Sequence, residues 1–195
     1  MNNIMENFIF QNPTKLIFGK GMIAQLAKEI PAGKRVMVTF GGGSVKKNGV
    51  YDQVKKALAG FEVTEFWGIE SNPKVETLRE AIRLGKEKNI DFLLAVGGGS
   101  VIDGTKLISA GLLYEGDAWE LVRKGMCTET VPLAAVLTIP ATGSEMNNGA
   151  VISRKETAEK FAFYSNNPVF SILDPTVTFS LPKWQVACGI ADTFV

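Results

Sequence analysis

The chain has 195 residues, 46% of them apolar and 21% charged, which suits one large or two small soluble domains. Its net charge of +1 excludes the strongly basic footprint expected of a nucleic-acid or membrane-surface binder. It contains no histidine, which excludes a Ser-His-Asp or Cys-His site, and any histidine-ligated metal, within these residues alone.

In chain order, Phe8-Ile9-Phe10 and Leu16-Ile17-Phe18, split by Asn12-Pro13, predict an opening hairpin. A helix follows, with Ile23, Leu26, Ala27 and Ile30 at helical spacing. Residues 35–40 read as a buried strand that runs into Gly41-Gly42-Gly43-Ser44, and then a helix with Val50, Val54, Ala57 and Leu58 on one face. Residues 61–67 alternate as a strand, and Asn72-Pro73 is expected to cap and open the next helix, which buries Val75, Leu78 and Ile82. Residues 92–96 are an apolar strand leading into Gly97-Gly98-Gly99-Ser100 and a small-residue helix over 101–110. Residues 119–124 give a short helix, and 133–139 another buried strand.

This strand–helix rhythm predicts an α/β fold with a parallel sheet and helices on both faces, whose ligands sit at the carboxyl ends of the strands. The pattern then changes. Residues 149–153 and 161–165, joined by the charged turn 154–160, predict an antiparallel hairpin. A strand over 169–173 ends at Asp174-Pro175, and Leu181-Pro182 starts a helix with Trp184, Ala187 and Ala191 on one face. That helix carries Asp192 and reaches Val195 with no cap, glycine or basic last turn, so the chain reads as the amino-terminal part of something longer.

The start has no basic region and no apolar core, and no apolar run reaches membrane-span length. Cys127 and Cys188 lie far apart without metal spacing and are expected as buried free thiols of a cytoplasmic protein.

Strand, glycine turn and helix start form an arrangement that binds phosphate. Glycine lets the backbone approach the anion, and the first-turn N–H groups and helix dipole favour its charge. Two such turns, at Gly41 to Ser44 and Gly97 to Ser100, suit a dinucleotide, one holding pyrophosphate and the other the adenosine ribose. Each is equally a tight βα turn without a ligand. An NAD site normally places an acid on the ribose hydroxyls. Here residues 41–44 carry none, and Lys46 and Lys47 follow, which favours the 2′-phosphate of NADP(H). Asp103, a turn into its helix, repels phosphate and is expected to face the far end of the ligand or the reacting group. Thr138, Thr142 and Ser144 offer hydroxyls at a strand end, to a ligand or to local backbone. Taken singly, Lys160 and Asp192 read as surface residues.

Together these residues resemble the iron-dependent (group III) alcohol dehydrogenase family, in its NADPH-using butanol dehydrogenase and aldehyde reductase branch. In register are Phe-Gly-Gly-Gly-Ser-Val-Lys-Lys-Asn-Gly-Val from Phe40, Asn72-Pro73, and Gly-Gly-Gly-Ser-Val-Ile-Asp from Gly97. Thr138 with Thr142-Gly-Ser-Glu145, then Lys160, and Asp174-Pro175 ahead of Gly-Ile-Ala-Asp192 complete the series. The resemblance implies a dehydroquinate-synthase-like, Rossmann-related NADP-binding domain over residues 1–180. Residues 181–195 would begin a helical metal-binding domain.

By the same resemblance, Gly97, Gly98, Gly99 and Ser100 hold the pyrophosphate, and Gly41, Gly42, Gly43 and Ser44 meet the 2′-phosphate. Asn72, Thr138, Thr142 and Lys160 also touch the cofactor, and Asp103 lies near the nicotinamide and substrate. Asp192 is the first ligand of an Fe²⁺ or Zn²⁺ whose histidine ligands lie beyond Val195, so these residues alone are expected to be inactive. The substrate implied is a small-molecule alcohol or aldehyde, with no nucleic-acid or membrane partner and a homo-oligomer as a compatible assembly. A polyol dehydrogenase or dehydroquinate-synthase-type enzyme of the same architecture, and a non-catalytic nucleotide-binding module, are the alternatives.

Overall fold

The computed structural model of the protein describes residues 9–194, with side chains described through Ala191. Strand β1 (Lys15–Phe18) is followed by a 3-10 turn (Met22–Gln25) and the short helix α1 (Leu26–Glu29). Then come β2 (Arg35–Phe40), α2 (Ser44–Lys47), α3 (Val50–Ala57), β3 (Glu62–Phe66) and α4 (Val75–Glu87). Next are β4 (Phe92–Gly98), α5 (Gly99–Gly111), α6 (Ala118–Lys124) and β5 (Leu133–Ile139). A 3-10 turn (Ser144–Met146) leads to β6 (Gly149–Arg154), β7 (Glu159–Tyr164) and β8 (Phe170–Leu173). A last 3-10 stretch (Pro175–Ser180) precedes α7 (Lys183–Phe194).

Six strands form one sheet in the order β1-β8-β5-β4-β2-β3, parallel throughout. The chain steps from β2 outward to β3, then returns to place β4 on the other side of β2. That reversal is the switch point at which open α/β sheets hold ligands. Both glycine runs lie there, one after β2 and the other closing β4.

Alternation along the strands assigns the two faces. Met37, Leu93, Ala95, Leu133 and Ala135 pack with α4, α5 and α6, whereas Val36, Val38, Leu94, Val96 and Val136 pack with α1, α3 and β8. Strands buried on both sides must be apolar at every position, and β2, β4 and β5 nearly are. The antiparallel β6–β7 pair stands apart from the large sheet, with Ile152 and Phe163 buried against the α4–α5–α6 layer.

Some expectations need correction. The opening hairpin does not form among the described residues. Residues 9–10 are not strand, and Phe8 lies outside the described residues. Strand β1 instead pairs in parallel with β8, far away in sequence, while Asn12 turns the chain by accepting the Thr14 N–H and donating to the Met146 carbonyl. Asn72 does not cap α4. It sits at φ 53°, in the left-handed region that asparagine tolerates, and the N-cap is Lys74. The helix expected after the first glycine run is split at Gly49 into α2 and α3. Both cysteines are free, but Cys127 is only half-buried and Cys188 is exposed.

Asp174 ties the turn after β1 to the end of β8, its neighbour in the sheet. Its buried carboxylate accepts the Gly21 N–H at 2.6 Å, the Thr176 N–H at 3.0 Å and the Thr176 hydroxyl at 2.7 Å. Burial pushes its pKa up, but the bonds from Thr176, Gly21 and Met22 outweigh this and hold it below the ordinary value. The stabilisation is therefore present above the unfolded value, about 4, and is lost as pH falls through the folded one. Urea unfolding should show Asp174→Ala less stable than the parent by about 1–3 kcal/mol at pH 7, with the gap closing towards pH 2. A gap that does not change with pH would contradict this account.

Candidate functional site

The carboxyl ends of β2, β4 and β5 open on two adjoining cavities that share Gly41, Gly98, Val101, Ile139 and Gln185. The smaller, about 420 Å³, is lined also by Gly43, Ser44, Lys47, Gly97 and Thr138. The larger, about 730 Å³, is lined also by Gly42, Asn72, Gly99, Ser100, Asp103, Thr142 and Lys160. The sequence-derived site residues therefore meet in one cleft, except Asp192, whose side chain lies outside the described residues.

The glycines serve different ends. At Gly97 an added Cβ would stand 2.6 Å from Val101 Cγ2, and at Gly98 2.5 Å from Ile139 Cγ2, so the chain's own packing demands glycine there. At Gly99 the nearest atom is Thr142 Oγ1, at 2.9 Å. Gly42, by contrast, has nothing within 4 Å of such a Cβ. Gly43 lies at φ 95°, where only glycine is unstrained. Helix α5 starts at the cleft with Gly98 as N-cap and no side-chain cap, so its first-turn N–H groups remain available to an anion.

The cavity beside Gly43 is lined by Lys47 and by no carboxylate. Lys46 is engaged elsewhere. Its Nζ lies 4.0 Å over the Trp67 ring, which itself stacks on Phe40. Across the larger cavity, Lys160 Nζ donates to Asn72 Oδ1 at 2.7 Å, bridging the β6–β7 pair to the loop before α4. That pair is anchored by the Ser153 N–H bonding the Pro73 carbonyl and by Glu76, which accepts the N–H groups of Lys155 and Glu156. Asp103 lines the larger cavity, yet both its oxygens are occupied. Oδ1 accepts the Ser144 hydroxyl at 2.5 Å and Oδ2 the Val151 N–H at 2.9 Å.

The iron-containing alcohol dehydrogenase family model matches residues 13–175. The chain belongs to that family. It is 53% identical to the NADPH-dependent aldehyde reductase YqhD of Escherichia coli over 98% of this chain and 51% of that protein. It is 52% identical to the probable NADH-dependent butanol dehydrogenase 1 of Bacillus subtilis, over 96% of this chain and 50% of that protein. The solved NADH-dependent butanol dehydrogenase A of Thermotoga maritima superposes with a TM-score of 0.90 at 47% identity, covering 96% of this chain and 50% of that one. The chain thus spans about half the length of the relatives it matches. These iron-family relatives carry names with either nicotinamide cofactor.

Within this family fold, sequence reasoning missed Lys106. It is fully buried, and burial pushes its ammonium down to about 8 while Asp103 and Glu145 pull the other way. A lysine one turn after Asp103, in a helix otherwise small and apolar, was the available signal. Among the described residues no three His, Cys, Asp or Glu side chains gather as a metal site, so the donor set does not fit a divalent ion by itself. No helix among the described residues is long and apolar enough to cross a membrane.

Proposed function

We propose that the chain is the cofactor-binding part of a metal- and NADP(H)-dependent alcohol dehydrogenase or aldehyde reductase, acting on a small-molecule alcohol or aldehyde in the cytoplasm. Residues 1–180 form the NADP-binding domain in this reading, and residues 181–195 begin a helical metal-binding domain. The observation that carries it is the meeting of both glycine runs, Thr138, Thr142 and Lys160 in adjoining cavities at the switch point of the sheet. Cavities of about 420 and 730 Å³ suit the two halves of a dinucleotide. A bound nicotinamide supplies hydride transfer to or from the substrate carbon.

In this proposal Gly97 to Ser100 and the start of α5 receive the pyrophosphate. Gly41 to Ser44, with Lys47, receive the adenosine end and its 2′-phosphate; a cation and no acid at that cavity support NADP(H) over NAD(H). Thr138, Thr142, Asn72 and Lys160 orient the rest of the cofactor. Asp103, with its oxygens held by Ser144 and Val151, shapes the wall near the reacting end. Fe²⁺ or Zn²⁺ is proposed as the Lewis acid of the whole protein, with Asp192 as this chain's contribution. The described residues do not complete its ligand set.

Calorimetric titration of the chain with NADPH and NADH tests the reading. Binding of both, with NADPH tighter, is the expected result. A folded chain that binds neither overturns it.

A further inference from the structure

The segment between Thr142 and Val151, both of which line the larger cavity, is held by a buried polar network. Lys106 Nζ donates to the Ser144 carbonyl at 2.7 Å, Ser144 Oγ at 2.9 Å, Asn147 Oδ1 at 3.1 Å and the Gly149 carbonyl at 2.6 Å. Ser144 Oγ donates its own hydrogen bond to Asp103 Oδ1, and the second carboxylate oxygen accepts the Val151 N–H. One turn of α5 therefore grips this segment at both ends. Thr142 stands just before the gripped segment. The β6–β7 pair that carries Lys160 begins within it.

A buried ammonium is expensive unless its protons are fully used, and removing one member of such a network leaves the others unsatisfied. If filling space were the only need, an apolar side chain of similar size would serve the core. What the charge adds is direction, because an ammonium has three protons to place on carbonyl and side-chain oxygens that would otherwise point into the core unpaired.

We propose that Lys106 is a positioning residue of the cofactor cleft, holding residues 144–149 on α5 so that Thr142 and Lys160 face the same cavity. This rests on the proposed dinucleotide reading. The charged groups set against it are Asp103 on α5 and Glu145 on the 3-10 turn Ser144–Met146. Burial lowers its ammonium to about 8. The folded pKa lies below the unfolded value of about 10.4, so between them the unfolded chain binds more protons and this group's contribution to stability rises with pH. The grip itself lies in the four acceptors gathered on one side chain, which an apolar residue of similar length leaves without a donor.

The test is a titration of the chain with NADPH at pH 7, alongside hydrogen-exchange protection factors of residues 144–151 and of β4, for the parent, Lys106→Met and Ser144→Ala. The expected result is a Kd about tenfold higher in Lys106→Met, with protection of 144–151 reduced in both variants while that of β4 holds. A Lys106→Met chain that binds like the parent, or that protects 144–151 as the parent does, overturns the proposal. If Lys106→Met fails to fold, Ser144→Ala decides; unchanged protection of 144–151 overturns it. If the parent binds no nicotinamide dinucleotide, the proposed function fails. A loss of protection confined to 144–151 in the variants then still supports the grip, and unchanged protection overturns it.

Discussion

Gly42→Asp should raise the Kd for NADPH by roughly 30- to 100-fold, leave NADH binding unchanged or tighter, and barely move the melting temperature. Nothing lies within 4 Å of a Cβ at this position, and its φ is not in the left-handed range, so the added side chain meets no part of the fold. What it meets, in the proposed reading, is the 2′-phosphate. Two unit charges about 7 Å apart at an effective dielectric near 20 repel by about 2.4 kcal/mol, which gives that factor. A carboxylate here would also supply the acceptor that NAD sites place on the ribose. Parallel titrations with the two cofactors decide the matter. An unchanged preference would remove the adenosine end of the cofactor from this turn.

Lys160→Met should weaken binding of either cofactor by about 10- to 100-fold, the worth of one hydrogen bond to a charged group, about 1.5–3 kcal/mol. Lys160 is exposed and its described partner is Asn72 Oδ1, so the change leaves the core intact. The parent's affinity should fall more steeply with added salt than the variant's, because a cationic contact to the cofactor has been removed. Lys160→Arg should recover part of the loss. Equal affinity and equal salt slopes in parent and variant would return Lys160 to the hairpin surface.

Local pattern carried most of the fold. Strands β2, β4 and β5 are short, apolar and followed by glycine or proline, and β6–β7 is a hairpin closed by its own charged turn. The misread opening segment shows the limit. Two apolar runs around Asn12-Pro13 look locally like a hairpin, while the real partner of β1 is set by a register with β8 that no nearby residue announces. The cleft was legible because its residues follow strand ends. Lys106 was not, because a lysine in a helix reads as solvated until the acceptors at Ser144, Asn147 and Gly149 are folded around it. The triple glycine also has a packing cause that local pattern does not show. Gly97 and Gly98 are imposed by Val101 and Ile139, so a bulky residue at either position damages the turn itself before it touches any ligand.

The pairing of Lys15 with Phe170 also sets the order of assembly. During synthesis at about 5–20 residues per second, β1 emerges roughly 8–30 s before the strand it joins. Until β8 arrives, the backbone of β1 and the free edge of β5 have no strand between them to pair with, although β2, β3 and β4 can already associate. The nascent chain therefore carries an unpaired first strand until residues 170–173 have been made, and its yield in a cell should depend on how well that strand is shielded while it waits.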